Sequence, residues 1–409
     1  MQVYFLLIGD SDKGHYSGPF SLDQLVEMAR QGTFSGSRFI WYFRDGKWQW
    51  VEANSIVEFV QLFRSVEREA VKETQAEATA IRVGIETGKR RPTKIVAFGG
   101  GKGGVGKTSL TAGLGLCLAA LGKSVILVDS DLGGANLSTT LGSPEAKRTS
   151  VDFFIRHEGT IEDLVTPTRF KNLRFISGQG GVLGLANPKY SQKLKFINQL
   201  KKLDADFVFL DLGAGITYDT LDFFLSSDRG VLVTSPDPPS LDKTYGFIKA
   251  ATYRRIVRLC EGDMVVHRHI EKMAASAFRP TIDQFLSGLK VESPESCASV
   301  LKRLYEQPVG LILNMVMHRA EIGDVNKLTA VISRNIGMAV EFLGWVTYDP
   351  SIRRSIRNQV PFVIDRPKSK ASRDVVKIAV EKLLPQRKAD WRILQREAFH
   401  RLKQLGARK

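Results

Sequence analysis

Cysteine is scarce in this 409-residue chain. There are three, Cys117, Cys260 and Cys297, far apart in sequence. So odd and sparse a set excludes a disulfide framework and points to a reducing compartment. No two of them have the short spacing that holds zinc or an iron–sulfur cluster. Long apolar runs are missing too: no stretch approaches the ~20 apolar residues of a spanning helix. Met1 to Ile8 is apolar but short, lacks a basic segment and runs into Gly9-Asp10-Ser11-Asp12. No secretory signal is read there, and a cytoplasmic protein is expected. Acid is in deficit, with 43 Asp and Glu against 59 Lys and Arg, a formal charge of +16. A plain basic surface, a nucleic acid and an anionic membrane all fit that excess. His267 and His269 lie two apart on an expected helix, where their side chains diverge, so no metal is expected there.

Glycine, by contrast, is concentrated in one place. Lys94-Ile95-Val96-Ala97-Phe98 reads as a buried strand and Ser109 to Leu121 as a buried helix. Between them lies Gly99-Gly100-Gly101-Lys102-Gly103-Gly104-Val105-Gly106-Lys107-Thr108. Gly101 to Thr108 satisfies G-x-x-x-x-G-K-[ST], in the strand–loop–helix context where a phosphate-cradling loop works. Glycine admits the positive φ angles that aim successive N–H groups at one anion, and the helix N-terminus adds partial positive charge. The expected nucleotide-binding set is Gly101, Lys102, Gly103, Gly104, Val105, Gly106, Lys107, Thr108 and Ser109. Lys107 would bind the β- and γ-phosphate oxygens, and the Thr108 hydroxyl would ligate Mg²⁺.

Four parts are expected. Residues 1–55 are aromatic-dense, with Trp41, Trp48 and Trp50 among eleven rings. Val3–Ile8 reads as a strand. Ser21 with Gln24 three residues on reads as a capping box opening a helix, and Asp45-Gly46 joins two strands as a hairpin. Residues 56–92 read as a helical connector and charged linker. Residues 93–384 contain seven apolar runs at 95–98, 124–128, 173–176, 207–210, 230–234, 310–313 and 341–346. Continuous rather than alternating, these mark strands covered on both faces, hence a doubly wound α/β fold with a mainly parallel sheet. Within it, 253–307 is a helical insertion of unassigned role. Residues 385–409 form a basic amphipathic helix: Trp391, Leu394, Ala398, Leu402 and Leu405 share a stripe, flanked by Lys388, Arg392, Arg396 and Lys403. That stripe suits an anionic membrane surface, and equally the protein's own core.

Two resemblances sharpen these expectations. Gly18-Pro19-Phe20-Ser21-Leu22-Asp23-Gln24-Leu25, Gly32-Thr33-Phe34, Trp41 and Trp48-Gln49-Trp50 resemble the small α+β GYF-like domains. The resemblance implies recruitment of a protein partner on aromatic faces. Lys102-Gly-Gly-Val-Gly-Lys107-Thr108 resembles the deviant Walker A ATPases, the MinD, ParA and flagellar FlhG (FleN) group. Asp129-Ser130-Asp131, Phe207 to Ile216, Thr234 to Ser240 and Leu343 to Ile352 resemble that family's further motifs, in the family's order.

The family resemblance implies ATP and Mg²⁺ as cofactors, slow hydrolysis and an ATP-dependent homodimer. Lys102 would reach the partner's nucleotide. Asp131 would orient the attacking water, Asp129 would lie near the Mg²⁺ shell, and Asp211 would hold Mg²⁺. Gly213 N–H would sense the γ-phosphate, and Asn314 would contact adenine. No guanine-reading N-K-x-D pattern occurs. The implied role is positioning or number control of a cellular structure such as flagella. A DNA-associated cargo positioner and a non-hydrolysing adaptor are the rival functions.

Overall fold

The structure is a computed structural model. It describes residues 4–8, 15–30, 39–44, 47–53 and 59. From 92 to 407 it describes all but 132–135, 144–145, 147, 157–159, 179–189, 260–263, 275–281, 306, 337 and 385–389. The chain divides into two compact units, Met1–Arg91 and Pro92–Lys409.

In the first unit, strands β1 (Tyr4–Ile8), β2 (His15–Phe20), β3 (Phe39–Arg44) and β4 (Lys47–Glu52) form an antiparallel sheet in the order β2-β1-β3-β4. Strands β3 and β4 pair with Arg44 opposite Lys47, and the expected Asp45-Gly46 turn between them lies outside the described residues. Helix Leu22–Arg30 opens with the expected capping box: Ser21 N–H donates to Gln24 Oε1 (2.8 Å) and Gln24 N–H to Ser21 Oγ (3.3 Å). Strand β2 carries Gly18-Pro19 and no strand signal. It lies at the sheet edge, where a missing N–H is tolerated. The expected turn at 9–14 and, apart from Phe59 and Pro92, the connector 56–92 lie outside the described residues.

The second unit is built on an eight-stranded sheet: β5 (Lys94–Gly100), β6 (Val125–Ser130), β7 (Thr166–Pro167), β8 (Leu173–Ile176), β9 (Phe207–Ala214), β10 (Arg229–Thr234), β11 (Val309–Val316) and β12 (Val340–Thr347). Their order is β12-β11-β10-β5-β9-β6-β8-β7. Every pairing is parallel except that of β7, a two-residue antiparallel edge too short to leave a sequence pattern. All seven expected runs are strands. Along β9, Val208 and Leu210 enter one core cluster and Phe207 and Phe209 the other, which is why the run is continuously apolar. Strand β5 sits mid-sheet, with the later strand β9 on one side and β10 on the other. That reversal places a crevice at its carboxyl end.

The 253–307 segment does not start as a separate element. The helix begun at Pro238 runs through to Leu259, followed by helices Met264–Ala274, Ile282–Glu292 and Pro294–Tyr305. Val266, Phe285, Leu289, Val300 and Leu304 join the cluster that contains β10 and β11 side chains, so the insertion extends the core. His267 and His269 diverge as expected. His267 pairs with Glu271, while the His269 ring lies 3.0 Å from Glu292 Oε2 and 3.2 Å from the Phe285 carbonyl.

Of the two surfaces open to the C-terminal stripe, the protein's own core takes it. Helix Trp391–Ala407 exists, but its apolar face is not offered to a membrane. Ala398 and Leu402 are fully buried, and Trp391, Leu394 and Leu405 pack on the cluster shared with helix Lys107–Ala120. Arg401 Nη1 donates to the Ala120 carbonyl at 3.0 Å, tying the tail to the end of that helix. A buried protein face and a lipid-facing stripe have the same periodicity, and here the domain's own core takes it. Ile393, off the stripe, is 65% exposed. Among the described residues no helix is long and apolar enough to cross a membrane.

Candidate nucleotide site

The site is assembled at the carboxyl edge of the sheet, where β5, β6, β9, β10 and β11 all end. The loop after β5 turns through Gly104 (φ 81°) and Gly106 (φ 83°), then enters helix Lys107–Ala120. Gly106 is the residue before the first turn, and no side chain caps that turn. Its N–H groups are therefore available to an anion. A Cβ at Gly103 or Gly104 would meet nothing within 4 Å, so the loop lies open on that side. At Gly106, by contrast, a Cβ would lie 2.4 Å from Asn314 Nδ2. Open space, uncapped N–H donors and a lysine fit a polyphosphate.

Lys107 and Asp211 meet in the buried floor, Nζ to Oδ1 at 2.6 Å. Thr111 Oγ1 lies 3.0 Å from the Lys107 carbonyl and 3.4 Å from the same carboxylate oxygen. Asp211 stands beside Asp129 in the register of β6 and β9. Burial first, and then the Asp211 charge, push the Asp129 carboxyl up to about 7. Two adjacent buried carboxylates favour added positive charge. Thr108 lies in the first turn of the helix, as a magnesium-coordinating hydroxyl requires. Among the described residues no cluster of three or more His, Cys, Asp or Glu could hold a metal by itself. Mg²⁺ would thus depend on Thr108, Asp211, phosphate and water, as is usual for this ion.

Other expected residues have different surroundings. Both Asp129 oxygens accept backbone N–H groups, Oδ1 from Asp131 (3.1 Å) and Oδ2 from Leu137 (3.0 Å). That carboxylate braces the segment after β6, of which 132–135 lie outside the described residues. Asp131 packs on Gly213: a Cβ there would lie 3.4 Å from the Asp131 carboxylate. The two strand-end motifs therefore meet. Gly215 N–H donates to the Gly100 carbonyl (3.0 Å), binding the segment after β9 to the start of the phosphate loop. Asn314, expected on adenine, is buried and donates from Nδ2 to the Val105 carbonyl at 2.7 Å. Its amide braces the phosphate loop. The next residue, Met315, has φ 62°, beside a register shift between β11 and β12.

Two groups escape sequence reasoning. Asp237, in the stretch after β10, accepts from Lys102 Nζ at 2.8 Å. Asp222, on the helix Tyr218–Ser226 that follows β9, is buried and meets Lys193, Arg254 and Arg258. Burial opposes its charge, but those three cations hold its carboxyl below the usual range. Neither belongs to a phosphate-binding pattern, and their partners lie 135 and 29 to 36 residues away.

The comparisons with known proteins agree with this geometry. The family model for the CobQ/CobB/MinD/ParA nucleotide binding domain matches residues 96–362. This chain belongs to that family. It is an ATPase of the MinD/ParA type. Antiactivator FleN of Pseudomonas aeruginosa is 26% identical over 289 residues, 70% of this chain and 85% of FleN. The septum site-determining protein MinD of Helicobacter pylori is 31% identical over 180 residues, 43% of this chain and 65% of that relative. Among solved structures, MinD of Pyrococcus horikoshii complexed with Mg-ADP shares the fold, with TM-score 0.50 and 24% identity over 71% of this chain and 97% of that one. The family match begins at residue 96, so it does not bear on the GYF-like resemblance of residues 1–55.

Proposed function

We propose that this MinD/ParA-type ATPase is a dimerisation switch, in which ATP with Mg²⁺ joins two copies and hydrolysis parts them. The observation that carries this is the division between the two loop lysines. Lys107 is buried in the floor of its own site, whereas the Lys102 side chain is 44% exposed and turned outward to Asp237. One nucleotide needs only the first. The same sheet edge presents Ile216, Tyr218, Met317 and Tyr348, which follow β9, β11 and β12 and are all exposed. Apolar side chains grouped around a charged site favour a second protein surface there.

In this scheme Lys107 and the N–H groups of Gly103 to Ser109 hold the phosphates of the chain's own nucleotide. Thr108 and Asp211 hold the metal, which supplies charge neutralisation at the phosphates. Asp131 orients the attacking water, and its contact with Gly213 couples the two segments that face the γ-phosphate. Asp129 braces the first of them from behind, and Asn314 fixes the loop. Catalysis is largely electrostatic and slow until Lys102 arrives from the partner.

The chain matches FleN, named an antiactivator, and MinD proteins named for septum placement, which supports a role in positioning or number control. Residues 1–55 would recruit a protein partner. If the tail meets an anionic surface, it does so through exposed Arg392, Arg396 and Lys403, since its apolar stripe is spent on the core.

Light scattering of Lys102→Ala tests the switch. The variant should bind ATP, stay monomeric and lose at least ~10-fold in turnover. Normal ATP-dependent dimerisation and hydrolysis by Lys102→Ala would refute it.

A further inference from the structure

Asp237 lies in the Thr234–Ser240 stretch, where no role is assigned to it, yet it is built to receive a cation. Its Oδ1 lies 2.8 Å from Lys102 Nζ, its Oδ2 accepts from Ser235 Oγ at 2.5 Å, and Ser240 N–H donates to Oδ1 at 3.1 Å. Ser240 Oγ in turn takes the Ser235 N–H (3.1 Å) and meets Thr234 Oγ1 (3.0 Å), so the carboxylate is fixed in place. Burial works against its charge, but the hydrogen bonds from Lys102, Ser235 and Ser240 hold the carboxyl below its ordinary range. The loop is seated on the same segment a second time. Gly101 lies so close to the helix after β10 that a Cβ would fall 2.3 Å from the Lys243 carbonyl oxygen. Gly101 gives the approach and Asp237 the counter-charge, which together set where Lys102 points.

We propose that Asp237 is an intramolecular latch for Lys102, a positioning residue that holds the lysine on its own chain until the phosphates of a second copy's nucleotide displace it. The proposal rests on the dimerising role of Lys102 argued above. An ammonium held on Asp237 must leave it to follow a phosphate on another chain. A triphosphate outcompetes a single half-exposed carboxylate for a lysine because it carries more charge in a less solvated place. A diphosphate, with the γ-phosphate gone, competes less well. The latch thus favours monomers with ADP and yields with ATP.

The expected effect is bounded by the exposure of the pair. An ion pair of this kind is worth a factor of about 1.5 to 5 in an equilibrium constant, and a dimer breaks two of them. Asp237→Asn, which keeps size and polarity, should therefore tighten the ATP-dependent dimer by about 2- to 25-fold. Sedimentation of the full-length protein with ATP and Mg²⁺ reads this. A second readout follows Lys102 directly in the ADP-loaded monomer. Acylation by acetic anhydride, scored by mass spectrometry at Lys102 against Lys123, should rise in Asp237→Asn and return toward wild type in Asp237→Glu. A mere structural role would not give that rescue.

Unchanged or weaker dimerisation of Asp237→Asn, or unchanged labelling of Lys102, overturns the latch. If the wild-type protein does not dimerise with ATP at all, the switch itself fails; the labelling result still tests whether Asp237 holds the lysine.

Discussion

Replacing Gly101 by alanine adds one methyl group, and the structure says where it must go. Its carbon would stand 2.3 Å from the carbonyl oxygen of Lys243, 2.5 Å from the carbonyl carbon and 2.9 Å from Cβ. Two of the three are backbone atoms of a helix and cannot rotate away. Ordinary contact needs roughly 1 Å more, so the phosphate loop and the helix after β10 must part by about that distance. Overpacking of this kind costs about 1–3 kcal/mol of stability. The larger effect is on position, since a displacement of ~1 Å in a catalytic group costs on the order of 100-fold in rate. Gly103→Ala is the matched control: two residues along the same loop, its Cβ meets nothing within 4 Å. Steady-state ATP hydrolysis and fluorescent-nucleotide titration should show Gly101→Ala strongly impaired in turnover and binding. Gly103→Ala should stay within a few-fold of wild type, and thermal melts should separate the two in the same direction. Equal activity of the two variants would refute the assignment of loop geometry to the seat on Lys243.

Two further outcomes follow from burial and charge. Leu402→Ala should destabilise by about 2–5 kcal/mol in denaturant titration, because Leu402 is fully buried, while exposed Ile393→Ala should change stability by less than ~0.5 kcal/mol; the opposite ranking, with loss of vesicle binding, would return the stripe to a membrane. Asp129 has its folded-state pKa raised to about 7, so between about pH 4 and pH 7 the folded chain holds a proton that the unfolded chain has released. The nucleotide-free protein should therefore lose stability as pH rises through that window and level off above it. Asp129→Asn should flatten the slope, and a melting temperature that rises from pH 5 to pH 7 by the same amount in both proteins would contradict the assignment.

Much of the molecule was legible before any coordinates. The seven parallel strands appear where continuous apolar runs stand, because a strand covered on both faces tolerates few polar residues. The phosphate loop appears as glycine, since only glycine suits φ 83° at Gly106 with an Asn314 amide 2.4 Å from where a Cβ would be. The Ser21–Gln24 capping box and the antiparallel pairing of β3 with β4 were equally readable, because both are settled by residues within a few positions of one another. The order of motifs from Lys102 to Asn314 determined the family.

What the tertiary structure decided is what depends on distant partners. Asn314, expected on adenine, also gives its amide to a carbonyl 209 residues earlier, a tie that no local pattern records. The stripe of Trp391, Leu394, Ala398, Leu402 and Leu405 fits lipid and core alike, and only the helix laid against Lys107–Ala120 assigns it to the core. The continuous helix Pro238–Leu259 shows that the 253–307 segment begins inside an element of the domain and not after it, which local composition does not record. Asp237 is an ordinary loop acid until the fold brings Lys102 to it. Periodicity and turn chemistry are local, so sequence carries them; which charge meets which, and which apolar face is covered, is set by packing across the chain.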